Sequence, residues 1–169
     1  QQIALGTNHM LALTNEGELY ACGNNEYNEC GMESNEEFIK KPKKLKKFTS
    51  NDGNEQIIQI VAGSDYSMAL TSKGDVYGWG DKEIFKKNNM IDEEWKTPTR
   101  IPLEEDISQL FGSFSHVVAV TSKNKLIAQG KSYFDDDFVP VDLNDDLDAD
   151  ETIVSMQGNL LSTFIITNK

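Results

Sequence analysis

Short apolar runs alternate with polar turns along this chain, and one run-and-turn pattern comes back four times. Gly6-Thr7-Asn8-His9-Met10-Leu11-Ala12-Leu13-Thr14 returns as Gly63-Ser64-Asp65-Tyr66-Ser67-Met68-Ala69-Leu70-Thr71 and as Ser113-Phe114-Ser115-His116-Val117-Val118-Ala119-Val120-Thr121. A worn form follows as Asn159-Leu160-Leu161-Ser162-Thr163-Phe164-Ile165-Ile166-Thr167. The closing threonines, Thr14, Thr71, Thr121 and Thr167, stand 57, 50 and 46 residues apart. Repetition at that period marks an array or ring of small structural units.

After each threonine the first three units continue alike. Asn15-Glu16-Gly17, Ser72-Lys73-Gly74 and Ser122-Lys123-Asn124 supply a polar turn, and a second run then ends on Gly23, Gly80 and Gly130. Two short runs joined in this way predict a β-hairpin, with Gly or Asn taking the left-handed backbone of the turn. A further β-type run precedes the hairpin, clearest in Ile57-Ile58-Gln59-Ile60-Val61-Ala62. A Pro-x-x-aliphatic element follows it, from Pro42 to Leu45, Pro98 to Ile101 and Pro140 to Leu143. A proline opening a strand suits a sheet edge, where its missing N–H breaks no ladder bond.

Each unit therefore predicts a small sheet of about four strands that cannot bury its own faces. Sheets packed radially around a hub cover one another and leave only short edges. The expected fold is all-β, a β-propeller segment of roughly three to four four-stranded blades. A β-sandwich is the rival, being built from similar strands and turns, but it calls for no spaced repeat. The chain reads as one partial propeller over residues 1–169, with units at approximately 1–50, 51–105 and 106–150 and an incomplete one at 151–169.

The repeat resembles that of the regulator of chromosome condensation family, whose members form seven-bladed propellers. The likeness rests on Gly-x-x-His-x-x-Ala-Leu-Thr-x-x-Gly-x-Val/Leu-Tyr-x-x-Gly, found from Gly6 to Gly23 and, with Tyr66 in the histidine position, from Gly63 to Gly80. Gly23-Asn24-Asn25-Glu26-Tyr27-Asn28-Glu29-Cys30-Gly31 is similar to the family's Gly-x-Asn…Gly-Gln-Leu-Gly connector, with Asn28 at the internal glycine. The third unit departs, placing Ser113 and Asn124 where the family has glycines and Gln129 where it usually has an aromatic or small residue.

Repeats spaced by about 51 residues put a seven-blade ring near ~350 residues, against 169 here. The chain opens without Met, and its fourth unit stops before a hairpin turn, so it is expected to be a piece of something longer. An arc of blades leaves two sheet faces open, each an apolar patch that needs cover. The expected cover is the remainder of the propeller, on the same or another chain.

Charge narrows the choice of partners. With 28 acidic against 16 basic residues the net charge is −12, a field that repels phosphate backbones and anionic lipid. Direct contact with nucleic acid or membrane is not expected. Runs such as Phe164-Ile165-Ile166 fall far short of the ~20 residues of a membrane helix. Cys22 and Cys30 make neither a disulfide framework nor a CxxC pair, and two histidines cannot build a His-rich metal site. A reduced intracellular compartment, cytoplasm or nucleus, is the expected setting, without cofactor or metal.

His9, Tyr66 and His116 recur in one repeat position, as a structural group does and a lone general base does not. Hydrogen bonding within the blade is their expected role. Gly6, Gly17, Gly23, Gly31, Gly63, Gly74, Gly80 and Gly130 are read as structural repeat positions too, and Trp79 as blade packing. No nucleophile-elbow, P-loop or zinc-protease motif is present. From Asp142, oxygen ligands fall at calcium-loop spacing, but Leu147 replaces the turn glycine and Ile153 the closing glutamate. A solvated acidic connector is expected instead, with Asp135, Asp136, Asp137, Asp145, Asp146 and Asp148 as candidate contacts for a basic partner. Lys40-Lys41-Pro42-Lys43-Lys44-Leu45-Lys46-Lys47 gathers six of the sixteen basic residues. It reads either as edge-strand protection or as an import or anion contact centred on Lys43 and Lys44. Trp95 is either an exposed partner anchor or a side chain tucked against its own blade.

Three functions follow. The first is a non-catalytic protein-interaction scaffold, which needs only the fold. The resemblance implies two others, guanine-nucleotide exchange on a small GTPase and chromatin or histone binding. The scaffold is the reading preferred here.

Overall fold

Fourteen β-strands run through the described residues, and each pairs antiparallel with its sheet neighbours. The computed structural model describes residues 2–45, 56–81, 84–85, 95–130, 138–143, 151–158 and 163–169. The first sheet comprises β1 (Gln2–Leu5), β2 (His9–Leu13), β3 (Leu19–Asn24) and β4 (Phe38–Lys44), in that order across the sheet. The second comprises β5 (Ile57–Ala62), β6 (Tyr66–Thr71), β7 (Val76–Gly80) and β8 (Thr99–Ile101). The third comprises β9 (Ile107–Gly112), β10 (His116–Thr121), β11 (Leu126–Gly130) and β12 (Val139–Val141). A fourth pairs β13 (Ile153–Gly158) with β14 (Thr163–Thr167). This is the all-β propeller expected from the repeat, with three four-stranded blades and a two-stranded one.

The recurring threonine explains itself in the hairpin turns. Thr14 N–H donates to the Glu18 carbonyl at 2.9 Å, and Thr14 Oγ1 accepts from the Glu18 N–H at 3.1 Å. Thr71 repeats both bonds with Asp75, and Thr121 with Lys125. The residue three positions after each threonine has positive φ, at 78° in Gly17, 86° in Gly74 and 60° in Asn124. Asn pays a modest steric cost there, which its polar side chain can offset locally.

First strands line up from sheet to sheet. β5 lies against β1 and β2, β9 against β5, and β13 against β9. Strands β4, β8 and β12 each pair on one side only and form the outer edges. The three prolines do lie on or beside these edge strands. Only Pro98 precedes its strand, however; Pro42 and Pro140 sit inside β4 and β12.

Side chains alternate across each sheet, so one face looks forward to the next blade and the other looks back. Leu11, Leu13, Leu19 and Ile39 look forward onto Ile57, Ile60 and Trp79 in one apolar cluster. Met68, Leu70, Val76 and Ile101 pack likewise on Ile107, Leu110 and Val117. Val118, Val120 and Leu126 then cover Ile153 and Met156. The core is thus a series of seams between blades.

Candidate functional site

Each seam holds one ring from the start of a second strand, because His9, Tyr66 and His116 share the forward-looking strand face. At the first seam His9 Nε2 lies 2.8 Å from Ser67 Oγ. The Ser67 hydroxyl donates to the Glu29 carbonyl at 2.8 Å. With its one proton used there, Ser67 accepts from His9, so the imidazole carries its hydrogen on Nε2. At the second seam Tyr66 faces Val117, which offers no acceptor. Its hydroxyl reaches the carbonyls of Ser113 and His116, each at 2.9 Å. At the third, His116 Nε2 lies 2.8 Å from Thr163 Oγ1. These bonds cross from blade to blade, which corrects the expectation that they stay within one.

Burial governs the ionisation of these rings. It holds His9 at about 4, well below the usual 6.5, with a contact to the Tyr66 backbone pulling weakly the other way. A second proton would go to His9 Nδ1, a buried atom without a hydrogen-bond partner. Burial lowers His116 as well and raises Tyr66. Ser113 Oγ sits 2.7 Å from His116 Nδ1, which brings a hydroxyl beside an imidazole. Both groups are buried in the seam, and Thr163 Oγ1 meets the other ring nitrogen, so the ring is held from both sides.

Two further links recur that the sequence reading missed. Gln2 on β1 donates to the Ile58 carbonyl at 2.7 Å and accepts from the Ile60 N–H at 3.0 Å, clasping the next blade's first strand. Gln59 clasps the third blade's first strand through a single residue, donating to the Leu110 carbonyl at 2.5 Å and accepting from the Leu110 N–H at 2.9 Å. Gln2, Gln59 and Gln109 are spaced by the same 57 and 50 residues as the threonines, and that spacing was the available signal. Glu29 is the other surprise, a fully buried carboxylate. Its oxygens accept from Asn24 Nδ2 at 2.6 Å and the Tyr27 N–H at 2.9 Å, and its carbonyl also takes Trp79 Nε1 at 2.9 Å. Burial pushes the Glu29 carboxyl up, partly offset by these bonds. Beside it, burial, with Glu29 and Cys22 nearby, pushes the Cys30 thiol up to about 12.

The glycine positions read from the repeat fall at close approaches, except Gly17, where a Cβ would meet nothing and only the positive φ favours glycine. A Cβ on Gly63 would stand 1.8 Å from Tyr66 Cε1, and one on Gly6 2.3 Å from His9 Cε1. A Cβ on Gly23, Gly80 or Gly130 would meet the chain at the start of the paired second strand, at His9, Tyr66 and His116, and one on Gly31 would meet Trp79.

Surface candidates divide differently. Trp95 is buried and stacks on Phe85 with ring centroids 4.5 Å apart, so it is the tucked side chain and not an exposed anchor. Lys43 pairs with Glu36 at 2.9 Å and Lys44 with Glu18 at 2.5 Å, in exposed contacts that contribute little. Both lysines border a rim groove of about 510 Å³ with Gly31, Met32, Ser34 and Thr97. Lys46, Lys47, Asp135, Asp136, Asp137, Asp145, Asp146 and Asp148 lie outside the described residues, as does most of the calcium-spaced loop. Among the described residues no group of three His, Cys, Asp or Glu could hold a metal ion. None of their helices is long and apolar enough to cross a membrane. Exposed aromatics do occur, but elsewhere. Tyr27, Phe38 and Phe114 are exposed at the end of the sheets where β2, β6 and β10 begin.

Radially seamed four-stranded meanders with a ring residue at every seam define a β-propeller built from sequence repeats. The regulator of chromosome condensation (RCC1) repeat matches residues 16–70, and a second form of it matches residues 1–29. The chain carries this family's repeat and has its fold. It is 30% identical to the ultraviolet-B receptor UVR8 of Arabidopsis thaliana over 131 residues, covering 76% of this chain and 29% of that protein. It is 27% identical to the guanine nucleotide exchange factor SRM1 of Saccharomyces cerevisiae over 178 residues, covering 90% of this chain and 36% of that one. The crystal structure of Prp20p from Saccharomyces cerevisiae, described with its binding to Gsp1p and histones, superposes with a TM-score of 0.75 at 25% identity. The superposition covers 93% of this chain and 41% of Prp20p. The chain thus spans about a third of the relatives' sequences and under half of the solved propeller.

Proposed function

We propose that this chain is an arc of a closed propeller acting as a non-catalytic protein-interaction scaffold. The observation that carries it is the set of exposed aromatics Tyr27, Phe38 and Phe114 gathered at one end of the blades. Aromatic side chains supply large, rigid contact area at interfaces. Connectors leaving a rigid ring at one end are the usual place for such contacts. The remainder of the ring comes from the same chain or another, and the cell compartment is cytoplasm or nucleus. Affinity capture with the wild type and with a Tyr27→Ala/Phe38→Ala/Phe114→Ala variant tests this reading. A stoichiometric partner retained by the wild type and lost by the variant supports it; equal retention by both overturns the rim assignment.

Nucleotide exchange on a small GTPase is the second reading, favoured by the likeness to SRM1 over 90% of the chain. Exchange works by distorting a partner's nucleotide site, so it leaves no catalytic motif in the propeller. Nucleotide-release assays on a panel of small GTPases separate the two readings. Chromatin is a third, for which basic histone tails would suit the −12 net charge.

A further inference from the structure

The seams obey a pairing rule. Where the residue after the ring position carries a hydroxyl, as Ser67 and Thr163 do, the preceding blade offers histidine, and Nε2 meets that hydroxyl at 2.8 Å. Where it is Val117, the preceding blade offers tyrosine, which bonds to two backbone carbonyls instead. The reason is satisfaction of a buried donor. Histidine against an apolar residue would strand its N–H, and a buried donor left unpaired costs its full desolvation. Tyrosine needs only carbonyls that every blade presents.

The first blade's backward face is open. Ile3 occupies the position of Ile60, Leu110 and Met156; those three are 6%, 0% and 4% exposed, whereas Ile3 is 71% exposed. Leu5 beside it is exposed too. On this face the residue after the ring position is Met10, which carries no hydroxyl. We infer that the face formed by Ile3, Leu5, Met10 and Cys22 docks a further blade of this same repeat carrying tyrosine, not histidine, at the ring position. The tyrosine hydroxyl would reach the Gly6 and His9 carbonyls, as Tyr66 reaches those of Ser113 and His116. The occupant is argued from strand position: in three blades this surface is filled by the forward face of its neighbour.

The inference rests on the closed-ring reading for its occupant but not for its pairing rule, and two experiments separate them. The rule is tested in this chain by Ser67→Val, His9→Tyr and their combination. Ser67→Val should lower the melting midpoint by about 3–6 °C. Adding His9→Tyr should restore most of that loss, because Tyr over Val reproduces the second seam. A double variant no more stable than Ser67→Val overturns the rule. Docking is tested by maleimide labelling of Cys22, and of an Ile3→Cys variant, in a Cys30→Ser background. Labelling in the protein at its full encoded length should run at least about tenfold slower than in the 169-residue chain. Equal rates mean an uncovered face and overturn the docking.

Discussion

Ser113 Oγ lies 2.7 Å from His116 Nδ1, whereas the same repeat position beside His9 is Gly6, where a Cβ would stand only 2.5 Å from His9 Nδ1. The two histidines share a repeat position, yet one has both ring nitrogens bonded and the other has an unpartnered Nδ1. The third unit's departure from glycine thus supplies the ring with a second partner. Asn124, the other departure, does comparable work. It donates to the Glu151 carbonyl at 3.2 Å and accepts from the Ile153 N–H at 3.4 Å, tying the third blade to the fourth.

Ser113→Gly should therefore turn the His116 environment into that of His9 and cost about 1 kcal/mol. Chemical denaturation reads the loss. No change in midpoint would mean the hydroxyl contributes nothing to the seam.

Gly63→Ala should be far more damaging than Ser113→Gly. The added methyl would meet the Tyr66 ring at 1.8 Å, and the ring is fully buried between blades. Moving it sacrifices two hydrogen bonds and the packing behind them, a loss of about 3 kcal/mol or more. The expected result is loss of cooperative thermal unfolding or of soluble protein.

Ser67→Ala removes the acceptor for His9 and a donor to the Glu29 carbonyl together. A cost of about 1–3 kcal/mol is expected from leaving the His9 N–H unpaired in the seam. His9→Leu in the same background should recover part of it, since no donor then remains to satisfy. Urea denaturation of the two variants checks the order.

Acid should loosen the first seam. His9 is neutral in the fold with a value of about 4, against 6.5 when unfolded. The unfolded chain therefore binds the extra proton first, and stability falls as pH drops from 6.5 towards 4, by about 3 kcal/mol in all. Glu29, raised by burial, acts in the opposite sense below its own folded value and softens the slope. His9→Gln should flatten the pH dependence of the melting midpoint between 6.5 and 5. An unchanged profile would place the acid sensitivity elsewhere.

Open end faces should make the isolated chain self-associate. Phe164 and Ile166 are exposed, while their equivalents Met68, Leu70, Val118 and Val120 are buried. Ile3→Asp with Phe164→Asp should shift sedimentation towards monomer without lowering the melting midpoint. A wild-type chain that stays monomeric and stable on gel filtration would show that these faces need no cover.

The residues that could be read in advance were those fixed by local chemistry. Thr14, Thr71 and Thr121 cap hairpin turns within a few residues, so their spacing alone exposes the repeat. His9, Tyr66 and His116 were legible as structural by recurrence, but their partners lie 58, 47 and 47 residues away, where no local pattern points. Gln2 and Gln59 escaped notice because an amide between apolar residues looks like any exposed polar position until the next backbone is brought against it. Trp95 was ambiguous for the same reason: a loop tryptophan becomes core only when Phe85 folds beneath it.

Alternation, turn residues and period by themselves determined the strands, their grouping into blades and the ring-like stacking, since each follows from which short segments can pair and which faces they leave apolar. Only the tertiary structure decided what bonds to what across a seam, which carboxylate is buried, and which aromatics face water. Those outcomes depend on groups distant in the chain arriving together, and on whether each buried donor then finds an acceptor.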